Sequence, residues 1–342
     1  MNSPSSLIDT LSGLLRGPLN SVEVLPGGLP EWQDTLLPEE SPKVHAGFPF
    51  ILVEGNLGLP KKVLYTIYLS AVSTPWRTSE PQMAEAVSSI IILVNPAHQA
   101  ALNTRKRLIA GGHLDPQREL ALCELMARGS PEFGKQSMVW AHRRWCFTQI
   151  YGAMGSRTLS PLPGWANSEE AQLFPRLSPA SVQHEFRLIQ HTCETYPRNY
   201  HAWAHWHHII DVCYASFVSD NEATRSEWGE IVVSECARLR GWINLHVSDY
   251  SAMHQFLQVQ SILEHLSLEK FALERETPED HALSLVQAFP SHESLWMYLR
   301  GTLRRVAAEK RGEMLRSTLE REQLAGNSHA IQLLEWSGRS EA

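Results

Sequence analysis

Residues 199–210 read "NYHAWAHWHHII", with four histidines and two tryptophans in twelve positions. Taken alone, His201, His205 and His208 stand at i, i+4 and i+7 and share one helical face, a spacing that suits a helix-borne metal site. The stretch does not stand alone. Pro197 precedes Trp203 by six residues, Pro290 precedes Trp296 by six in "PSHESLW", and Pro96 precedes Leu102 by six in "PAHQAAL". "GKQSMVWAHRRW" puts Gly134 at the proline position and Trp140 at the tryptophan, and "HVSDYSAMH" places Met253 there. The large residues Leu102, Trp140, Trp203, Met253 and Trp296 are thus separated by 38, 63, 50 and 43 residues, which fits one helical hairpin per unit plus insertions.

The upstream half of each unit also reads as a helix. A polar residue followed by proline recurs at Asp115-Pro116, Ser178-Pro179 and Thr277-Pro278, the signature of a capped helix start. Val182, Phe186, Ile189 and Cys193 then form an apolar stripe at helical spacing, as do Leu283, Val286 and Phe289, while Trp203, Trp206, His207 and Ile210 make the face of a second helix. The β-branched runs "SSIIILV" and "IVVSE" continue helical patterns, and no Asn-Gly turn joins two alternating runs, so strands are not expected. A single hairpin cannot bury its apolar face, whereas stacked hairpins share a core. The expectation is an all-α solenoid over 46–325, with repeat cores near 95–110, 134–151, 197–214, 247–262 and 290–305. The Pro, Ser and Gly-rich stretch 155–179 reads as an inserted loop, 1–45 as a loosely ordered extension and 326–342 as a C-terminal tail.

Thirty basic and thirty-seven acidic residues give a net charge of -7, and no basic run could track a phosphate backbone, which excludes nucleic acid as the main partner. No apolar stretch approaches the ~20 residues that span a bilayer, and "MNSPSSLIDT" lacks the features of a signal peptide. Neither a Met-Gly start nor a prenylation box is present, and the chain reads as cytoplasmic. Five cysteines with no C-x-x-C pair argue against a disulfide framework and against a thiolate zinc site, so no metal is expected on this chain. Eleven tryptophans fit a recurring motif rather than a single pocket.

The segments "NYHAW", "VWAHRRW", "LNTRKRL" and "ETYPRNY" resemble the protein prenyltransferase alpha-subunit repeat, an Asn-containing turn followed by Trp, x, His, Arg and often a further Arg and Trp. The resemblance runs from about Leu52 to Arg300 and includes the flanks "LVEGNLG", "ILVNPAHQAALNTRKRLI" and "HVSDYS". It implies an α-α superhelix, a right-handed solenoid of hairpins around a beta subunit that carries zinc and the isoprenoid pocket. The implied reaction is transfer of a prenyl group from its diphosphate to a protein cysteine. The flanks resemble one branch of the family, for which the implied partner is a Rab geranylgeranyltransferase-type beta subunit. The implied substrates there are proteins with C-terminal cysteines, including an already prenylated SNARE.

Such a reaction needs a thiolate and donors that take up charge on the departing diphosphate. Lys135 and Arg198 hold the same register, five residues before the tryptophan, where a second helix begins and its dipole favours an anion. By resemblance, Lys135 faces the isoprenoid diphosphate and His201 supports it, with Tyr200 and Arg198 as candidate substrate contacts. His142 and His205 recur in register and read as structural. Trp140, Trp203 and Trp296, with Asn199, are expected in the hairpin core, and Arg143 and Arg144 are expected to bridge helices or meet acidic groups of a partner. The pattern is broken by Trp206, Phe256 and Leu299 where arginine is expected, by Met253 for tryptophan and by Ser137 where tyrosine is common. Those departures keep open a non-catalytic interaction scaffold. A histidine-ligated hydrolase fits poorly, because the segment has no H-E-x-x-H pattern.

Overall fold

The computed structural model describes residues 3–28, 49–153, 174–219, 222–268, 276–319 and 327–339, and helices dominate them. Five hairpins follow the expected register. They pair α3 (Pro81–Val94) with α4 (Gln99–Ala110), and α5 (Pro116–Gly129) with α7 (Ser137–Tyr151) across the single turn α6 (Pro131–Gly134). In the third, α8 (Pro179–Thr195) is followed in the chain by α9 (Tyr200–Ser219); the fourth pairs α10 (Glu222–Leu245) with α11 (Tyr250–His265), and the fifth α12 (Pro278–Ala288) with α13 (Glu293–Leu303). The three expected starts are real caps. Asp115 accepts from the Gln117 N–H, Ser178 from Ser181 and Thr277 from Asp280, each with proline in the first turn.

The chain divides into two compact units, residues 1–155 with 172–205 and residues 156–171 with 206–342, and the division falls inside α9. In the first unit, residues expected in a loosely ordered extension are instead built in. Helix α1 (Pro4–Arg16) buries Ile8 and Leu11 against α3 and α2 (Lys61–Ser73). Strand β1 (Ser21–Leu25) pairs in parallel with β3 (Asn56–Pro60), which pairs antiparallel with β2 (Ile51–Val53). This small sheet also departs from the expectation of no strands. Its β2–β3 turn is Glu54-Gly55, both left-handed at φ 50° and 80°, so the hairpin is made without the Asn-Gly signal. Strand β1 lies against the end of α5 so closely that a Cβ on Gly129 would sit 1.7 Å from the Val22 carbonyl oxygen. These elements cover the first hairpin, whose α3 is buried almost all round from Ala86 to Leu93.

In the second unit the expected tail is also corrected. Helices α14 (Ala308–Leu319) and α15 (Ser328–Arg339) form a sixth hairpin, and α15 packs on α13 through the buried Ala330 and Leu333. In α12 the buried stripe is Ala282, Leu285 and Val286, while Phe289 of the expected stripe is exposed. Residues 155–173 of the expected loop, 1–2 and 29–45 of the expected extension, and 326 and 340–342 of the expected tail lie outside the described residues. None of the five cysteines forms a disulfide and all are buried, as a packing role requires. Among the described residues no helix is long and apolar enough to cross a membrane.

Candidate functional site

In the first unit the turns of the second and third hairpins are tied together at one backbone oxygen. The Trp140 indole donates to the Gly134 carbonyl at 2.8 Å, and the Asn199 amide donates to the same oxygen at 3.0 Å. Asn199 is buried and its Oδ1 accepts from the Ala202 N–H, so one side chain caps α9 and fixes its turn to the neighbouring hairpin. Lys135 adjoins Gly134, and its ammonium lies 4.2 Å from the centroid of the Tyr196 ring. It also donates to Glu132 at 2.8 Å, which raises its pKa. Arg198 is exposed with φ 59°, Tyr200 is 66% exposed, and His201 is half-buried with its ring edge-on to Tyr200. Lys135, Arg198, Tyr200 and His201 therefore share one turn edge. Gln136, the N-cap of α7, makes no side-chain cap bond, leaving first-turn N–H groups of that helix open to an anion.

Behind that edge runs a buried ladder of charge. Glu119 of α5 accepts from the Arg105 Nε of the preceding hairpin at 2.8 and 2.9 Å, and from His142 of its own hairpin at 2.7 Å. Glu185 of α8 repeats the arrangement, with Arg143 Nε at 2.8 Å and His205 at 3.0 Å. Burial alone would raise both carboxyls, but the adjacent guanidinium charge and the His and Arg hydrogen bonds outweigh it and hold Glu119 and Glu185 at about 2. Burial pushes His205 down to about 4 against the pull of Glu185, so its ring is neutral near pH 7, donating from Nε2 and stacking on Trp140 at 4.7 Å. His142 and His205 thus do share a structural role. Arg143 bridges helices, with a further bond to the Leu120 carbonyl at 2.9 Å. Arg144 is half-buried and, unlike Arg143, has neither ion pair nor hydrogen bond among the described residues; burial lowers its pKa.

Two metal readings are answered by this chemistry. His205 is committed to Glu185 and packed in the core, so it is no free ligand beside His201 and His208. Among the described residues one other group, Glu119, Cys123 and His142, brings three ligand atoms within 4.8 Å of one another. Both Glu119 oxygens already serve Arg105, and burial pushes the Cys123 thiol up, away from the thiolate that a metal needs. The residues do not fit a cation site.

The second unit fills the same register differently. Trp206 stands where Arg105 and Arg143 stand, and its indole donates to Glu235 at 3.0 Å. Phe256 takes the position in the fourth hairpin and packs against His281 and Tyr298, the latter in the register of His142 and His205. The Asn244 carbonyl oxygen is 2.7 Å from His281 Nε2, so Nε2 carries the proton and Nδ1 accepts from the Tyr298 hydroxyl at 3.1 Å. Trp296 donates to the Pro290 carbonyl at 2.8 Å and Asn327 donates to the same oxygen at 3.0 Å, repeating the Trp140, Gly134 and Asn199 arrangement. Sequence reasoning missed Asn327, Glu119 and Glu185. "GNSHA" before an apolar helix was the available signal for the first, and a carboxylate at a core position of α5 and α8 for the others.

Residues 182–212, the third hairpin from α8 into α9, match the family described as Protein prenyltransferase alpha subunit repeat. The chain is similar to Protein prenyltransferase alpha subunit repeat-containing protein 1 of Homo sapiens, 25% identical over 292 residues, 74% of this chain and 68% of that protein. The Danio rerio protein of the same name is 26% identical over 291 residues, 74% and 63% of the two chains. Protein 1-A of Xenopus laevis is 27% identical over 253 residues, 63% and 53%. The matched stretches span between about half and two thirds of these relatives' own length.

Proposed function

We propose that this chain, whose residues 182–212 match the protein prenyltransferase alpha subunit repeat, is the alpha-type subunit of a heterodimeric protein geranylgeranyltransferase, inactive alone. Its partner in this reading is a beta subunit of the Rab geranylgeranyltransferase type, which holds the zinc and the isoprenoid pocket. The substrates are proteins with C-terminal cysteines, an already prenylated SNARE among them. Zinc there supplies a thiolate at neutral pH. A carbon–sulfur bond forms as the carbon–oxygen bond to the diphosphate breaks, and this chain's task is to stabilise the charge on the departing oxygens.

The observation that carries the reading is the shared turn edge. The Asn199–Gly134 bond sets the 198–201 turn beside Lys135, so a partly exposed ammonium, a guanidinium, a tyrosine and a histidine stand on adjoining turns. The Lys135–Glu132 pair is at the surface and exchanges readily for a diphosphate. In this reading Arg144, half-buried without a counter-ion among the described residues, pairs with an acidic group of the partner. Co-expression with a Rab-type beta subunit is expected to yield a heterodimer that transfers geranylgeranyl. Lys135→Ala should leave the heterodimer intact and slow transfer by about tenfold or more. No heterodimer sinks the proposal, and unchanged turnover of the variant removes Lys135 from the diphosphate.

A second reading, a helical-repeat interaction scaffold without catalysis, is favoured by the loss of arginine at Trp206, Phe256 and Leu299. A stable complex with another protein, and none with any prenyltransferase beta subunit, would decide for it.

A further inference from the structure

Helix α15 carries Trp336, and three guanidinium groups converge on its indole. Arg300 of α13 lies 4.8 Å from the ring centroid, Arg304 at the end of that helix 5.9 Å, and Arg311 of α14 5.8 Å. Their neighbours are paired: Arg305 with Glu264, and Lys310 with Glu279 at 3.4 Å. Arg300, Arg304 and Arg311 have no carboxylate within ion-pair distance among the described residues. The Nε–H of Arg311 is moreover shielded from solvent and lacks an acceptor. In a chain of net charge -7, three cations around one ring are a concentration of positive charge that no carboxylate among the described residues neutralises.

The cation–π contacts offset only part of the mutual repulsion, since all three charges lie well within a Debye length of about 8 Å of the ring. An unpaired, shielded guanidinium N–H adds a further cost. What would relieve both is an anion with several acceptor oxygens and more than one negative charge. A carboxylate brings one charge and two oxygens. A phosphate monoester carries about -1.5 to -2 at neutral pH and three terminal oxygens, one for each guanidinium. We propose that Arg300, Arg304 and Arg311, arranged around Trp336, form a phosphate-binding site on the terminal hairpins of the second unit. It is independent of the Lys135 edge, and its test does not involve prenyl transfer.

The full chain is to be melted with increasing inorganic phosphate or O-phosphoserine, each against sodium chloride of equal ionic strength. A saturable rise in Tm of about 3 °C at about ten times the dissociation constant is expected. The rise should vanish in Arg300→Gln/Arg304→Gln, both exposed positions, and shrink in Arg304→Gln alone if the double variant folds poorly. A rise with both ligands assigns a site for any phosphate group, and a rise with O-phosphoserine alone assigns a phosphate carried on a side chain. No rise beyond chloride, or an equal rise in the variants, overturns the proposal.

Discussion

Three residues after the register tryptophan, the first unit carries Arg105 and Arg143, whereas the second carries Trp206, Phe256 and Leu299. In the first unit each arginine crosses to a buried glutamate, which also holds the histidine of its own hairpin. In the second, an indole donates to Glu235, whose carboxylate also pairs with the half-buried Arg238 of its own helix, and at the next junction a phenylalanine, a histidine and a tyrosine meet. One stacking geometry thus tolerates two chemistries, because each supplies bulk in the core and a hydrogen-bond partner for the carboxylate or ring that crosses the junction. The chemistries are not equally forgiving. An ion pair in the core leaves a bare charge when one partner goes, whereas a ring cluster leaves a cavity.

The largest expected break is Glu185→Gln, which strands the Arg143 guanidinium in the interior and should cost about 3–5 kcal/mol in a urea melt. Glu235→Gln should cost less, about 1–2 kcal/mol, since a glutamine oxygen still accepts from the Trp206 indole and the Arg238 charge it leaves is only half-buried. Equal costs would show that the two junctions do not differ as described. Acid should separate them next. His205 and His281 are held at about 4 in the folded chain, while an unfolded histidine titrates near 6.5. The unfolded state therefore binds more protons between those values, and stability falls as pH drops from about 6.5 to 4, by roughly 3 kcal/mol per buried ring. Glu119 and Glu185, at about 2 instead of 4.5, add a further loss below about 4.5 that is specific to the first unit. A stability profile flat from pH 7 to 4 would contradict the buried neutral rings.

Transplanting the second solution into the first sharpens the contrast. Arg143→Phe combined with Glu185→His copies the Phe256–His281 pair, and its loss should stay below that of Glu185→Gln, at about 1–2 kcal/mol. A loss as large as the single variant's would mean that local shape, not charge, sets the choice. The smallest effect is expected from Trp206→Arg, which restores the repeat's common residue opposite Glu235 and should shift stability by about 1 kcal/mol or less in either direction.

Much of the hairpin order was legible in the chain because its signals are local: capped starts at Asp115, Ser178 and Thr277, and a large residue at fixed distance from each turn. Lys135, Arg198, Tyr200 and His201 could be placed at helix starts for the same reason. Their gathering on one edge could not, since it depends on a bond from Asn199 to a backbone atom 65 residues away. The sheet escaped because β1 finds its partner across some thirty residues and the Glu54-Gly55 turn puts a glutamate in a conformation that favours glycine or asparagine. The sixth hairpin escaped because its register residue, Ile331, is neither aromatic nor buried, and only the Asn327 cap repeats the motif.

The carbonyl at the turns of the second and fifth hairpins has a last consequence. Gly134 and Pro290 are chemically unlike, yet each offers the same oxygen to a tryptophan of its own repeat and an asparagine of the next. The joint between repeats is thus made with an atom that every amino acid possesses, so the residue there is free to drift while the two donors are not. Divergence in such an array will erase the turn residue first and the indole and amide last.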